Sequence, residues 1–293
     1  MILITGSDGI IGRQLCNELL SQNIPFMPIT HRRKCHTLHN ALQVNLADDT
    51  GQLLKYASNF SAIVHLAAAV PHSLNYPDNS YSAELTRRMD QHILNIQSLT
   101  GVPLIYASTC GLYDRLLQDI KFEKDPSQLK IASPYFEAKF DGEKLFLKDG
   151  LSTILRLSAP IGSGLKSRLV LSRFICKARI GGKIEIWGSG NREQDFIDTS
   201  DIAQLIIKIL QQPKSMILNV ASGVPITMAS LAETVVSSLE SGSIEHTGQS
   251  DPRDAETARY SISLAKHHYN WEPQCTLDKS VKKLIHEDFE RNF

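Results

Sequence analysis

Tyr135 and Lys139 lie four residues apart in the run Tyr135-Phe136-Glu137-Ala138-Lys139, behind Ser133 and Pro134. Serine then proline predicts a helix start, and a spacing of four puts the phenol and the ammonium on one helical face. There the lysine charge favours the phenolate and pulls a hydroxyl with a reference pKa of about 10 toward the working range, which is the chemistry of a general acid or base. A second constellation lies at the start of the chain, MILITGSDGIIGR. Strand-forming Ile2 to Thr5 run into Gly6, Gly9 and Gly12, then into the apolar period Ile10, Ile11, Leu15, Leu19, Leu20. The pattern is strand, tight turn, helix. Gly6 permits the turn, Gly9 lets the backbone approach a pyrophosphate and Gly12 lets the helix lie close on the strand. The helix start then offers N–H groups and a partial positive charge to an anion, with Asp8, Ile10 and Ile11 in the same cradle. That context makes dinucleotide binding the expectation.

The elements around these residues supply the rest of a cofactor site. A strand over 24–30 ends in His31, Arg32, Arg33 and Lys34. In a doubly wound fold this strand end lies beside the adenosine ribose, where an acidic residue would bind the 2′-hydroxyl. None stands here, and Arg32 and Arg33 suit a 2′-phosphate through charge-assisted bonds. NADP is therefore the expected cofactor, with NAD kept open; a solvated basic surface run is the plainer reading. A third strand over 41–46 brings Asn45 and Leu46 near the adenine. A fourth over 61–69 ends in Leu66, Ala67 and Ala68, small enough at the alanines to let a cofactor lie against the strand end, and Ala107 faces it from the fifth strand. His65, among apolar neighbours, reads as a hydrogen-bonded core histidine.

Helices over 13–22 and 83–100, strands over 102–108 and 153–157, and a turn-rich loop over 71–81 complete an alternating β/α order. That order predicts an α/β fold, a doubly wound parallel (Rossmann) sheet with helices on both faces. Beyond Ala159 glycines cluster, a helix is expected over 167–180, and KIEIW (183–187) reads as a lone strand. A helix over 201–211 capped by Ser200, a strand over 216–222, a helix over 227–239 capped by Thr227, a strand near 258–261 and a helix after Leu277 follow. The division expected is a dinucleotide-binding domain over 1–160, with 198–222 returning to it, and a smaller mixed α/β substrate lobe over 161–197 and 223–293.

Thirty-one basic and 31 acidic residues balance, which excludes a nucleic-acid or anionic-membrane footprint. No apolar run approaches the roughly 20 residues that span a bilayer. Five cysteines without CxxC pairing, at 16, 35, 110, 176 and 275, suit reduced thiols, and no signal segment precedes the first strand, so a cytoplasmic location is expected. No metal-ligand spacing is present.

Across nearly its whole length the chain resembles the extended short-chain dehydrogenase/reductase family, which contains nucleotide-sugar epimerases, dehydratases and keto-sugar reductases. The resemblance rests on TGSDGIIG, HLAAA at 65–69, YASTCGLYD at 106–114, SPYFEAK at 133–139, LRLSAPIG at 155–162, WGSGNREQDFIDTSDIA at 187–203 and LNVASG at 218–223. It implies that Thr109 orients the substrate, that Tyr135 is the general acid or base, and that Lys139 holds the nicotinamide ribose. Family dehydratases carry an Asp-Glu pair after that threonine; Cys110 and Gly111 stand there, which argues against sugar dehydration, and Cys110 reads as small packing. Arg156 is retained and is expected, with Thr109, Arg192, Gln194 and Arg253, among the substrate-binding residues, whereas Ala159 replaces a family asparagine, Gln194 a family phosphate-binding arginine, and Asp90 a helix asparagine. Arg192 or Arg253 is positioned in sequence to take over from Gln194. A homodimer formed through the helices over 83–100 and 135–148 is implied by the resemblance alone.

Three functions stay open. The first is an NADPH-dependent reductase of a keto nucleotide-sugar, with Tyr135 as proton donor. The second is a 4-epimerase with retained NAD, using the same Thr109, Tyr135 and Lys139. The third is a dinucleotide-binding sensor without turnover, prompted by Gln194 and Ala159.

Overall fold

A computed structural model describes residues 1–31, 41–48, 50–71, 80–113, 119–123, 133–148, 150–165 and 169–291. Seven strands form one parallel sheet: β1 (Ile2–Thr5), β2 (Phe26–Thr30), β3 (Leu42–Gln43), β4 (Ala62–His65), β5 (Leu104–Thr109), β7 (Ser152–Leu157) and β12 (Met216–Val220), in the order β12-β7-β5-β4-β1-β2-β3. The order reverses beside β1, the crevice where open α/β sheets bind ligands beyond the strand ends. Most of these strands are buried along their length, as continuous apolar runs covered on both faces must be. Helices α1 (Ile10–Ser21) and α6 (Thr199–Gln211) pack on one face, together with the short α8 (Ser263–Tyr269) and Trp271. On the other face lie α3 (Ser80–Thr100) and α4 (Pro134–Leu147), with one-turn α2 (Gly51–Leu54) nearby. The doubly wound sheet is as the sequence predicts.

A separate apolar core joins α5 (Val170–Arg179), β9 (Lys183–Ile186), α7 (Met228–Leu239), β14 (Ser243–His246) and α9 (Leu277–Arg291). Small pairs stitch the two cores: β8 (Ala159–Ile161) runs parallel to β11 (Phe196–Asp198), β10 (Glu193–Gln194) antiparallel to β13 (Ile226–Thr227), and β6 (Ile120–Lys121) parallel to β15 (Arg259–Tyr260). Two local expectations are corrected. The strand at 183–187 is not alone, because Lys183–Ile186 pairs with Ser243–His246, some 60 residues later. Helix α6 is capped by Asp198, whose carboxylate accepts the Ser200 N–H at 2.9 Å, so Ser200 already lies inside the helix. Thr227 does cap α7, accepting the Ser230 N–H at 3.1 Å.

Candidate active site

Gly6 takes a left-handed φ of +66°, and a Cβ there would lie 2.8 Å from the Ala67 nitrogen. At Gly12 a Cβ would stand 2.3 Å from the Gly6 carbonyl oxygen. Both positions must therefore be bare for β1, β4 and α1 to meet. Gly9 has only the Gly6 oxygen near its missing Cβ, at 3.2 Å, and is exposed on the crevice side. No side chain caps α1 and its first turn holds no acid, so its N–H groups are available to an anion. Asp8, Ile10 and Ile11 are partly exposed around that turn, as are Leu66, Ala67 and Ala68 beyond β4, while Ala107 is buried in β5. These features fit a dinucleotide: a glycine cradle, a free helix start and small residues at the neighbouring strand end.

At the adenosine end His31 is exposed just past β2, its carbonyl accepting from the Gln43 side chain. Arg32 and Arg33 lie outside the described residues. Asn45 is exposed and bonded to Asp48, and the Leu46 carbonyl meets the His92 ring at 2.7 Å.

Helix α4 opens as its sequence predicts, with Pro134 in the first turn and the Ser133 hydroxyl accepting the Phe136 N–H at 3.3 Å. Tyr135 is 9% exposed and Lys139 2%. Among the described residues Lys139 Nζ has no carboxylate or carbonyl partner; it rests over the Tyr106 ring, 4.0 Å from the centroid. Burial pulls its ammonium below the usual lysine range, and Asp90 and then Glu143 oppose that pull. A nearly buried ammonium with donors to spare suits the hydroxyls of a ribose. Thr109 ends β5, and its hydroxyl oxygen accepts the Gly111 N–H at 3.0 Å, which leaves the hydroxyl proton to be donated elsewhere. Gly111 is bare because Phe136 fills the space: a Cβ would lie 2.4 Å from its ring. Cys110 is buried and gives its S–H to the Arg156 carbonyl at 3.1 Å; burial pushes the thiol well above its ordinary range.

Arg156 is the correction within the site. It lies in the middle of β7, flanked by β5 and β12, and is fully buried. Its Nε and Nη2 engage both oxygens of Glu143, the shortest contact being 2.7 Å, and Nη1 donates to Tyr113 Oη at 2.8 Å. A strand centre covered by α4 leaves no path to a substrate phosphate, so the expected substrate contact gives way to an internal ion pair. The other expected substrate residues gather on one pair of loops. Arg192 pairs with Asp251 at 3.1 Å, Arg253 pairs with Glu256, and the Arg253 N–H donates to Asp251 at 2.9 Å. Gln194, in β10, is partly exposed beside them in sequence.

His65 is the hydrogen-bonded core histidine that its apolar neighbours predict, but sequence reasoning passed over the rest of the buried polar set behind α4. Ser108 donates to Glu143, Tyr113 to Asn219 at 2.8 Å, Tyr106 to Asp90 at 2.7 Å, and His65 bridges Thr5 and Asp90. A lone charge within an apolar strand, Arg156 in TILRL, was the available signal.

Residues 2–221 match the model of the NAD dependent epimerase/dehydratase family. The chain belongs to that family. It is similar, at 26% identity over 97% of its length and 96% of the relative's, to the dTDP-4-dehydro-6-deoxyglucose reductase of Escherichia coli. It is 25% identical to the UDP-glucuronate 4-epimerase of Thermodesulfobacterium geofontis, over 97% of this chain and 94% of that one. Its fold is shared with the UDP-glucose 4-epimerase of Thermotoga maritima solved with UDP-glucose, at a TM-score of 0.86 and 18% identity, covering 100% of this chain and 99% of that one. The chain is thus an NAD-dependent enzyme of the extended short-chain dehydrogenase/reductase type. Among the described residues no helix is long and apolar enough to cross a membrane, and no cluster of His, Cys, Asp or Glu could hold a metal.

Proposed function

We propose that the protein is an NADPH-dependent reductase of a keto sugar carried on a nucleotide. The observation that carries this reading is the spacing on α4 of Tyr135 and a nearly buried, donor-rich Lys139, together with the hydroxyl proton that Thr109 keeps for donation. A bound nicotinamide supplies the hydride. Thr109 donates its hydroxyl proton in a hydrogen bond to the substrate carbonyl oxygen and holds it in line. Tyr135 gives that oxygen its proton as the carbon is reduced, so ketone, hydride and proton become an alcohol. Lys139 holds the nicotinamide ribose and stabilises the phenolate that Tyr135 leaves behind. Gly6, Gly9 and Gly12 with the start of α1 seat the pyrophosphate, and Arg32 with Arg33 the 2′-phosphate.

Arg192 and Arg253, gathered around Asp251, are the substrate diphosphate contacts in this reading, with Gln194 beside them. The lobe built around α5, α7 and α9 is the substrate lobe, beginning near residue 161, and the segment through α8 and Trp271 is assigned to the sheet domain because it packs in that core. The nucleotide-sugar substrate is supported by the two relatives, which act on a dTDP-sugar and on UDP-glucuronate. A homodimer through α3 and α4 and a cytoplasmic location are carried in the same proposal.

One observation favours a second reading. The epimerase relative matches the same 97% of the chain as the reductase does, and a 4-epimerase with retained NAD needs the same three residues. The absorbance spectrum of the purified protein, followed by titration with NADPH and NADH, separates the two. Exchangeable NADPH with turnover of a 4-keto-6-deoxy nucleotide-sugar is expected. Tightly held NAD with interconversion of 4-epimers overturns the reductase reading, and cofactor binding with no turnover on a wide carbonyl panel returns the sensor. Replacing Arg32 and Arg33 by alanine should weaken NADPH far more than NADH; an equal loss would make the run mere surface charge.

A further inference from the structure

Lys139 needs its charge in the proposed chemistry, yet its surroundings work against that charge. It is 2% exposed and has no direct ion pair among the described residues. Two carboxylates face it, Glu143 from its own helix and Asp90 from α3. Glu143 is already occupied by the fork of Arg156 and by the Ser108 hydroxyl. Asp90, 1% exposed, is matched by no permanent cation among the described residues.

Asp90 accepts the Tyr106 hydroxyl at 2.7 Å on one oxygen and the His65 Nε2–H at 2.9 Å on the other. Burial holds the His65 pKa below its ordinary value, which leaves the ring neutral above pH 7. Its Nδ1 accepts from the Thr5 hydroxyl at 2.6 Å, and that oxygen takes the Ala67 N–H at 3.3 Å. With the histidine in this tautomer every hydrogen bond in the chain is satisfied, yet the negative charge remains. Helix α4 is shaped to admit it: a Cβ on Gly142 would stand 2.2 Å from Tyr106 Oη and 2.5 Å from Asp90 Oδ2. The Tyr106 ring bonded to this anion carries the Lys139 ammonium on its face, 4.0 Å from the centroid. A phenol that donates to a carboxylate has a more electron-rich ring, and a desolvated cation–π contact is strengthened accordingly.

We propose that Asp90 is the counter-charge of Lys139, relayed through the hydrogen-bonded Tyr106 ring, and so a positioning residue that keeps the ammonium protonated beside Tyr135. The proposal rests on reading Lys139 as the working cation of the site, but its test requires no turnover. The groups facing Lys139 are Asp90 on α3, His65 on β4, Tyr106 on β5, and Tyr135 and Glu143 on α4, with Arg156 behind Glu143. Between about pH 7 and 9.5 the histidine is already neutral, and burial with the Asp90 charge holds the Tyr106 phenol well above its ordinary range. Lys139 then contributes a rise, because the unfolded chain keeps its proton to a pKa of about 10.4 while the folded one releases it earlier; the thiols of Cys110 and Cys275, held above their ordinary range, contribute a fall that wild type and variants share. The Lys139 contribution therefore rises with pH across that window, and removing the counter-charge should make a variant's profile climb relative to that of wild type.

The experiment is urea unfolding of the full chain and of Asp90→Asn, which is isosteric, at intervals from pH 7 to 9.5. The expected result is a variant less stable at pH 7, with a deficit in folding constant that shrinks by up to tenfold per pH unit as Lys139 loses its proton. In a Lys139→Met background the Asp90→Asn deficit should be independent of pH. Tyr106→Phe, which keeps the ring but cuts the link, should steepen the slope in the same direction and serves alone if Asp90→Asn does not fold. Parallel pH profiles for wild type and the single variants would overturn the proposal and leave Asp90 a structural hydrogen-bond acceptor. Full turnover by Tyr135→Phe would overturn the reading of the site, and the slopes would still judge the pairing on their own.

Discussion

Replacing Arg156 by leucine separates an internal ion pair from a substrate contact. The guanidinium is fully buried, forks both oxygens of Glu143 and also holds Tyr113 Oη. Taking it away leaves the Glu143 carboxylate buried with the Ser108 hydroxyl as its remaining hydrogen-bond donor among the described residues. Breaking a buried pair from one side costs about 3–5 kcal/mol, because the remaining charge has no compensation. Tyr113 keeps Asn219 as acceptor and contributes little to the loss. For a chain of this size each kcal/mol moves the midpoint by about 2–4 °C, so a fall on the order of 10 °C is expected in a thermal melt followed by circular dichroism. Removing both charges in Arg156→Leu with Glu143→Leu should cost less than the sum of the single changes, since the stranded charge disappears. Were Arg156→Leu to lose under about 1 kcal/mol in urea while raising the KM for a nucleotide-sugar, the ion pair would be incidental and the arginine a substrate residue.

Tyr135→Phe should remove most turnover while leaving NADPH binding, read by fluorescence titration, within a few-fold; retained turnover would place the proton donor elsewhere. Gly12→Ala puts a methyl 2.3 Å from the Gly6 carbonyl oxygen and 2.7 Å from Ser7 Cα, both backbone atoms that cannot rotate away. A cost of about 1–3 kcal/mol together with weakened cofactor binding is expected, and an unchanged urea midpoint would mean that α1 has room to slide. His65 is buried neutral, so on acidification the unfolded chain takes up its proton near pH 6.5 while the folded chain resists to a lower pH. Stability should fall as pH drops below about 6.5, and His65→Asn should flatten that fall by up to one proton; identical slopes would show that the folded ring protonates freely.

Features of short range were legible in the chain. The glycine turn announces itself because Gly6 and Gly12 are required by contacts with residues at most one strand away, and Ser133-Pro134 caps α4 within three residues. Choices between near neighbours were less so: Asp198 and Ser200 are both good caps, and the register of β11 against β8, which the sequence does not display, places Asp198 at the helix boundary. Pairings at long separation were hidden altogether, as with β9 against β14. The charged residues teach the sharper lesson. Arg156 in an apolar run looked like a family contact with substrate, but a charge in the centre of a parallel sheet needs a partner of opposite sign within the fold. Glu143, one helical turn beyond Lys139 on the helix that covers the strand, is that partner. The same reasoning applies to Asp90 and Lys139: once Arg156 has claimed Glu143, the remaining buried anion and cation face each other across Tyr106. In the proposed site the Lys139 ammonium depends on charges spread over α3, α4, β5 and β7 together, and a substitution at Asp90 should be felt at Tyr135 without touching it.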